Sequence, residues 1–178
     1  FGGILDPGYQ AISFPQIPNH LTTDAPFEIE ATATSGLEVL FEVLSGPATI
    51  NGNIVTITGA GEVTIEATQP GNAQFDPAAP VVHSFMVVDP QLNVPDIDVR
   101  HPLAGNVQVP ILSQIMLATV ATIDYPELFW VQNVQFEING QTIQAQDFYN
   151  GHYVAWWTPP SHGSYTLNIV SANNFGAI

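Results

Sequence analysis

The sequence predicts an all-β protein made of two consecutive antiparallel β-sandwich domains. Strand-length segments alternate between apolar and polar residues, Asn-Gly and Gly-Pro turn signals separate them, and no segment shows helical spacing of apolar residues. About seven such segments occur in residues 11–88, and about seven more in residues 97–178. Because two packed sheets bury one face of every strand, an antiparallel sandwich is the economical arrangement for each series.

In the first series, alternation is clearest in residues 27–34 and 62–68, where every second residue is apolar and the residues between are Glu or Thr. Asn51-Gly52, which lies between two isoleucines, predicts a tight hairpin. Further strands are expected at residues 11–14, 37–44, 54–58 and 81–88.

The second series is organised around residues 151–176, where two runs of aromatic and β-branched residues flank a break rich in Pro, Ser and Gly. This pattern predicts two strands joined by a turn, with Trp157 inward and Trp156 outward. Asn139-Gly140 predicts a second tight hairpin. The remaining strands are expected at residues 97–99, 107–109, 114–123, 131–138 and 141–145.

These series imply a division of the chain into four parts. Residues 1–10 are expected to lead in from a preceding segment, and residues 11–88 to form the first domain. Residues 89–96 contain two prolines and are expected to form a short, fairly stiff linker, and residues 97–178 form the second domain. Because Phe-Gly-Gly is not a natural start, we expect the chain to be a piece of a longer protein.

The charge excludes several classes of partner. The chain has 16 acidic residues, one arginine and no lysine, for a formal net charge of −15. Nucleic-acid binding depends on Lys and Arg, so we expect no nucleic-acid partner, and an anionic membrane surface is disfavoured. No apolar run reaches about 18 residues, so no membrane insertion is expected. Lysine usually protects exposed strand edges against unwanted pairing. Because the chain has no lysine, Pro and Glu must protect these edges, or another copy of the chain must cover them.

Residues 11–88 resemble the bacterial Ig-like repeat that occurs in tandem in very large surface proteins. The resemblance covers nearly the whole first half of the chain. The matching motifs are Phe14-Pro15-Gln16-Ile17-Pro18, Ala25-Pro26-Phe27, Ala31-Thr32-Ala33-Thr34-Ser35-Gly36-Leu37, Ser45-Gly46-Pro47-Ala48, Gly52-Asn53, Thr58-Gly59 and Gln69-Pro70-Gly71-Asn72.

Residues 97–178 resemble a second bacterial Ig-like type. That family usually has Asp where Asn173 stands here, which weakens an inherited cation role at that corner. Both resemblances imply Ig-like sandwiches that serve as spacers or adhesive modules of secreted and cell-surface proteins, without a catalytic residue. The matching motifs are His101-Pro102-Leu103-Ala104-Gly105, the hairpin at 134–140, Trp157-Thr158-Pro159-Pro160, Gly163-Ser164-Tyr165-Thr166-Leu167 and Asn173-Asn174-Phe175-Gly176-Ala177.

Candidate chemistry is sparse. The five histidines form no paired ligand spacing, no Gly-x-Ser-x-Gly elbow occurs, and the absence of Cys excludes disulfides and thiolate ligands. We therefore expect no enzyme and no required cofactor. Calcium is the cation that the sequence could bind, because Asp96 and Asp98 flank the predicted linker and Asp124 lies on a loop. No complete calcium-loop motif is present.

Aromatic residues mark the candidate interface. Trp156, Trp130 and Tyr149 are the residues expected to contact a ligand or another protein, because exposed aromatic rings stack on sugars or fill protein interfaces. Burial under a loop or against a neighbouring domain is the plainer alternative.

The main hypothesis is a non-catalytic structural and adhesive fragment of a large extracellular bacterial surface protein, adhesin or filament. Its partners would be other protein domains, copies of the same chain, or surface glycans. The alternative is a carbohydrate-binding accessory module of a secreted polysaccharide-active enzyme.

Overall fold

The structure is a computed structural model in which residues 8–101, 114–161 and 163–178 are described, with the backbone alone for His101. It divides into two compact units, Phe1–Asp89 (unit 1) and Pro90–Ile178 (unit 2). Every regular element in the described ranges is a β-strand or an isolated bridge, which confirms the predicted all-β class. Residues 107–109, where a strand was predicted, and residues 1–7 of the predicted lead-in lie outside the described ranges.

Unit 1 has the strand order of an Ig-like sandwich. One sheet has the order β2-β9-β8-β5 and the other β3-β7-β6, and a short β1-β4 pair accompanies them. β3 and β4 are pieces of the single strand predicted at 27–34, so the β1-β4 pair extends the second sheet. The strands are β1 Ile12–Ser13, β2 His20–Leu21, β3 Phe27–Glu28, β4 Thr32–Ala33, β5 Leu40–Ser45, β6 Ala48–Asn51, β7 Ile54–Ile57, β8 Gly61–Thr68 and β9 Val81–Val88.

Strand β8 forms the centre of the unit 1 core. It pairs with β5 on one side and β9 on the other, and its inward residues Val63, Ile65 and Ala67 are fully buried. These are the inward residues that the alternation predicts. Strand β8 is flanked by β5 and β9 within its sheet, and the second sheet packs against its inward face. These three side chains therefore have no exposed surface.

Unit 2 repeats the plan with a different set of strands. One sheet has the order β10-β11-β15-β14 and the other β13-β12-β16, which matches the division of strands between the two sheets of an Ig-like sandwich. Phe136 is fully buried between the sheets. The strands are β10 Asp96–His101, β11 Ile115–Thr122, β12 Val131–Ile138, β13 Gln141–Gln144, β14 Gln146–Tyr149, β15 His152–Trp157 and β16 Leu167–Asn173.

Some details differ from the sequence-based expectations. The first hairpin closes on the Asn51–Ile54 pair, so its two loop residues are Gly52-Asn53 rather than Asn51-Gly52. A φ of +62° at Gly52 suits the first loop position of a type II′ turn. The two strands of residues 151–176 are not paired with each other, because β15 pairs with β11 and β14 whereas β16 pairs with β12. The pair β2–β9 is parallel.

A buried polar network fixes one loop of unit 1. Gln10 is 1% exposed, and its Nε2 donates to Gln69 Oε1 at 2.9 Å and to the Asp76 carbonyl at 2.6 Å. Gln69 Nε2 donates to the Glu38 carbonyl, and Gln69 Oε1 accepts from the Gly71 amide. The Gln69-Pro70-Gly71-Asn72 motif is therefore a structural turn that satisfies buried polar groups.

Replacing Gly71 tests this turn. At Gly71, where φ is +77°, an added Cβ would lie 2.4 Å from the Phe75 carbonyl oxygen, whereas Gly36, at φ +76°, has no atom within 4 Å of an added Cβ. Both Gly→Ala substitutions carry the same left-handed backbone cost of roughly 1 kcal/mol, and only Gly71→Ala adds a clash with backbone. We expect Gly71→Ala to lower the urea midpoint of unit 1 clearly more than Gly36→Ala. Equal losses would show that the loop relaxes freely.

Candidate functional site

The structure places Trp156 and Tyr149 on one face of unit 2. Trp156 is 55% exposed on β15, beside Met116 of β11. Tyr149 is 76% exposed at the end of β14, where it pairs with His152 of β15. Since Tyr153, Ala155 and Trp157 point into the core, residues 152, 154 and 156 point outward. Four residues along β15 separate His152 from Trp156, which corresponds to about 13 Å.

The surface between these two rings is mainly apolar. We call it the aromatic face. It consists of Met116, Ala118 and Val120 on β11, Val154 and Trp156 on β15 with His152 at its end, and Gln146 and Tyr149 on β14. The β11–β15 ladder sets each β11 residue beside its β15 neighbour, so the apolar side chains form one flat strip. A flat apolar strip with exposed rings at both ends can stack against a planar or extended ligand.

Trp130 does not belong to this face. It is 62% exposed and precedes β12, which lies in the other sheet of unit 2. Its backbone amide donates to Asn174 Oδ1, and its carbonyl accepts from the Asn174 amide. Two of the three aromatic candidates therefore lie on one sheet of unit 2, and the third lies just before the central strand of the other sheet.

The acidic candidates for calcium are spread out. Asp96 and Asp98 lie on the outward side of β10, and Asp98 forms a salt bridge with Arg100 at 2.5 Å. Asp124 lies on the loop after β11, where its carbonyl accepts from Asn93 Nδ2. Within the described ranges, no group of three or more His, Cys, Asp or Glu side chains is placed to hold a metal ion. Calcium binding by these residues stays a prediction.

Asn173 makes the most complete set of polar contacts in unit 2, and sequence reasoning singled it out only as a departure from a family pattern. The side chain is fully buried. Its Nδ2 donates to the carbonyls of Pro90 at 2.8 Å and Asn93 at 2.7 Å, and its Oδ1 accepts from the amides of Phe175 at 2.9 Å and Ala177 at 3.0 Å. One amide thus ties the segment that enters unit 2 to the turn that follows β16.

These contacts use the amide group of Asn173 in a way that the carboxylate of an Asp could not reproduce. Both protons of the amide NH₂ are directed at carbonyl oxygens, which an ionised carboxylate could not satisfy. An Asp would instead present oxygen to the Pro90 and Asn93 carbonyls and would need a cation between them.

Two histidines of unit 1 make structural contacts. His20 contacts Asp24 at 2.8 Å and stacks on Phe27 with ring centroids 3.9 Å apart, and His83 Nε2 lies 2.8 Å from the Phe14 carbonyl oxygen. Both contacts are structural, whereas His152 is exposed. Burial, with a smaller contribution from nearby Asp147, raises the pKa of Tyr153. Raising this pKa only keeps the phenol neutral.

In comparisons with known proteins, no family model and no curated protein sequence matches the chain. Among solved structures, it is similar to protocadherin gamma B7 extracellular cadherin domains 1–4 (TM-score 0.34, 11% identity, 92% of this chain and 49% of that one). The chain thus spans about half the length of that structure.

Two further solved structures are similar. One is the D00-D0 domain of intimin (TM-score 0.36, 10% identity, 92% of this chain and 96% of that one). The other is SGBP-B of a Bacteroides ovatus mixed-linkage glucan utilization locus, solved with a mixed-linkage heptasaccharide (TM-score 0.32, 15% identity, 95% of this chain and 45% of that one). Within the described ranges, the chain has no helix able to cross a membrane.

Substitutions at Asn173 test its role. Asn173→Ala removes four hydrogen bonds to backbone, and we expect it to lower the free energy of unfolding of unit 2 by roughly 2–4 kcal/mol in urea. Asn173→Asp should also destabilise unit 2, because the carboxylate faces two carbonyl oxygens.

The two variants should respond differently to calcium. Because Asn173→Asp creates a set of oxygen ligands, calcium should raise its melting temperature more than that of the original chain or of Asn173→Ala. Unchanged stability of Asn173→Ala, or an equal calcium response of all three proteins, would contradict this account of the corner.

Proposed function

We propose that the chain is a non-catalytic structural and adhesive module of a large extracellular bacterial surface protein or fibre. Its two Ig-like sandwiches would act in series as spacer and interaction units. The observation that carries this proposal is the direct succession of two Ig-like sandwich units along the chain. β9 ends at Val88, unit 2 begins at Pro90, and Asn173 binds the carbonyls of Pro90 and Asn93.

A short connection supports a spacer because a long free linker adds conformational entropy. Within unit 2, the hydrogen bonds of Asn173 fix residues 90 and 93, and residue 90 comes two positions after the end of β9. The resemblance of both halves to bacterial Ig-like modules supports the surface setting. The acidic composition is compatible with an exposed, well-solvated role.

Small-angle scattering of the chain tests the spacer role. A single compact body of this length would have a radius of gyration of about 16 Å. If the chain serves as a spacer, we expect a clearly larger value and an elongated distance distribution. Repeating the measurement at high salt controls for charge repulsion, since screening would shorten only a repulsion-driven extension. A compact value in both conditions would contradict the proposal.

Glycan binding is a second candidate function, and one specific observation favours it. Tyr149 and Trp156 are exposed at the two ends of the aromatic face, with Val154 between them. Rings held outward on a sheet lose little conformational freedom when a sugar stacks on them. The pairing of β14 with β15 sets Tyr149 beside His152, four residues along β15 from Trp156.

Trp156→Ala and Trp130→Ala form a matched pair for this candidate. Both remove an exposed indole from unit 2, but only Trp156 lies on the aromatic face. On a glycan array followed by calorimetry, we expect Trp156→Ala to weaken binding roughly tenfold or more, because a stacked ring contributes about 1–2 kcal/mol, and Trp130→Ala to bind as the original chain does. Equal losses, or no glycan bound by the original chain, would remove this candidate.

A further inference from the structure

Three Asn-Gly pairs occur in the chain, and each lies where one strand turns into the next. Asn51-Gly52 is at the turn from β6 to β7, Asn139-Gly140 at the turn from β12 to β13, and Asn150-Gly151 at the turn from β14 to β15. Asparagine is a thermally labile residue, and a following glycine favours its deamidation because glycine has no Cβ to shield its nitrogen or restrict its rotation. All three Asn side chains are exposed, so exposure alone does not separate the three sites.

Deamidation begins when the backbone nitrogen of the glycine attacks the side-chain carbonyl carbon of the asparagine. The new C–N bond closes an imide ring, the bond to the side-chain nitrogen breaks, and that nitrogen leaves as ammonia with the proton that the glycine amide gives up. Water then opens the imide at either carbonyl. One opening leaves Asp, and the other leaves isoaspartate, in which the main chain runs through the side-chain CH₂. Either product carries a new carboxylate.

Asn139 is tied to the residue that precedes β16. Its Oδ1 accepts from the Thr166 amide at 2.9 Å, and its own amide donates to the Thr166 carbonyl at 3.3 Å. The side chain must turn toward the Gly140 nitrogen before the imide can close, and this movement breaks the bond from the Thr166 amide. A Cβ added at Gly140 would meet no atom within 4 Å, so hydrogen bonding rather than packing protects this pair.

Packing against β11 restricts the pair Asn150-Gly151. The Gly151 carbonyl accepts from the Ala121 amide at 2.9 Å, and a Cβ added at Gly151 would lie 2.6 Å from the Ala121 carbonyl oxygen. Gly151 must leave this contact before its nitrogen can reach the side chain of Asn150. Close packing of the glycine therefore protects this pair, although the Asn150 side chain is itself exposed.

The pair Asn51-Gly52 has neither form of protection. In the part of the chain that the structure describes, the Asn51 side chain has no hydrogen-bond partner. A Cβ added at Gly52 would meet no atom within 4 Å. The Asn51–Ile54 pair is also the last pair of the β6–β7 ladder, next to the loop. Because the end of a hairpin opens more easily than the strands behind it, the rotation that the reaction needs is available at this pair.

We infer that Asn51 is a site of spontaneous deamidation in the folded chain, whereas Asn139 and Asn150 are protected by their contacts. The chain supplies both reacting groups, and water is the other reactant. The product carries its new carboxylate across β7 from Glu28, since residue 51 and Glu28 both pair with Ile54. The isoaspartate form also lengthens the main chain at the residue that closes the hairpin. This modification goes beyond the proposed spacer role and does not depend on it.

Incubation of the folded chain at mildly alkaline pH, which favours loss of the glycine amide proton, measures the three sites together. Cleavage after Glu gives one fragment, residues 43–62, that contains Asn51, and another, residues 138–178, that contains Asn139 and Asn150. Mass spectrometry with fragmentation then assigns each change from amide to carboxyl. We expect Asn51 to react at least about tenfold faster than either other site, because those sites must first lose a hydrogen bond or a packed contact.

Two controls separate the folded structure from the local sequence. Unfolding in urea removes the contacts of all three sites, so their rates should become similar in the unfolded chain. The variant Asn51→Gln keeps an exposed amide but would have to close a larger ring. We expect this variant to stay folded, as checked by circular dichroism, and to show no change in the fragment 43–62, which also contains Asn53.

Three results would overturn the inference. Equal rates at the three sites of the folded chain, or a faster reaction at Asn139 or Asn150, would show that their contacts do not protect them. Reaction of Asn51 in urea alone would show that the closed hairpin prevents the rotation. A change that persists in the fragment 43–62 of Asn51→Gln would assign the reaction to Asn53. None of these results bears on the scattering test of the spacer role.

Discussion

Backbone hydrogen bonding between neighbouring strands is the constraint on which both units depend. Each strand buries one face only if it has partners that satisfy its N–H and C=O groups. β8 has partners on both sides, and Val63, Ile65 and Ala67 are fully buried as a result. Strand pairing on both sides therefore accompanies the complete burial of the inward face of β8.

Polar side chains complete this hydrogen bonding where the ladders stop. Gln10 and Gln69 satisfy the backbone of a loop in unit 1, and Asn173 satisfies the ends of two segments in unit 2. All three are amides, which both donate and accept without a charge. In a chain with one arginine and no lysine, buried amides join segments at points where other proteins use ion pairs or cations.

The proposed stacking surface arises from the same constraint. Trp156 and Tyr149 are exposed on one face of a sheet of unit 2, where their side chains are available for stacking. A ligand that stacked on this face would need no deep pocket.

Period-two alternation in the sequence determined the all-β class, most strands and the inward position of Trp157, because alternation along a strand is a local property. It could not tell that β15 and β16 pair in different sheets, since that depends on partners distant in sequence. It also could not separate Trp130 from Trp156 and Tyr149, or recognise Asn173 as the residue that binds Pro90. Those outcomes depend on tertiary structure, because strand register and chain crossing bring together residues up to 83 positions apart.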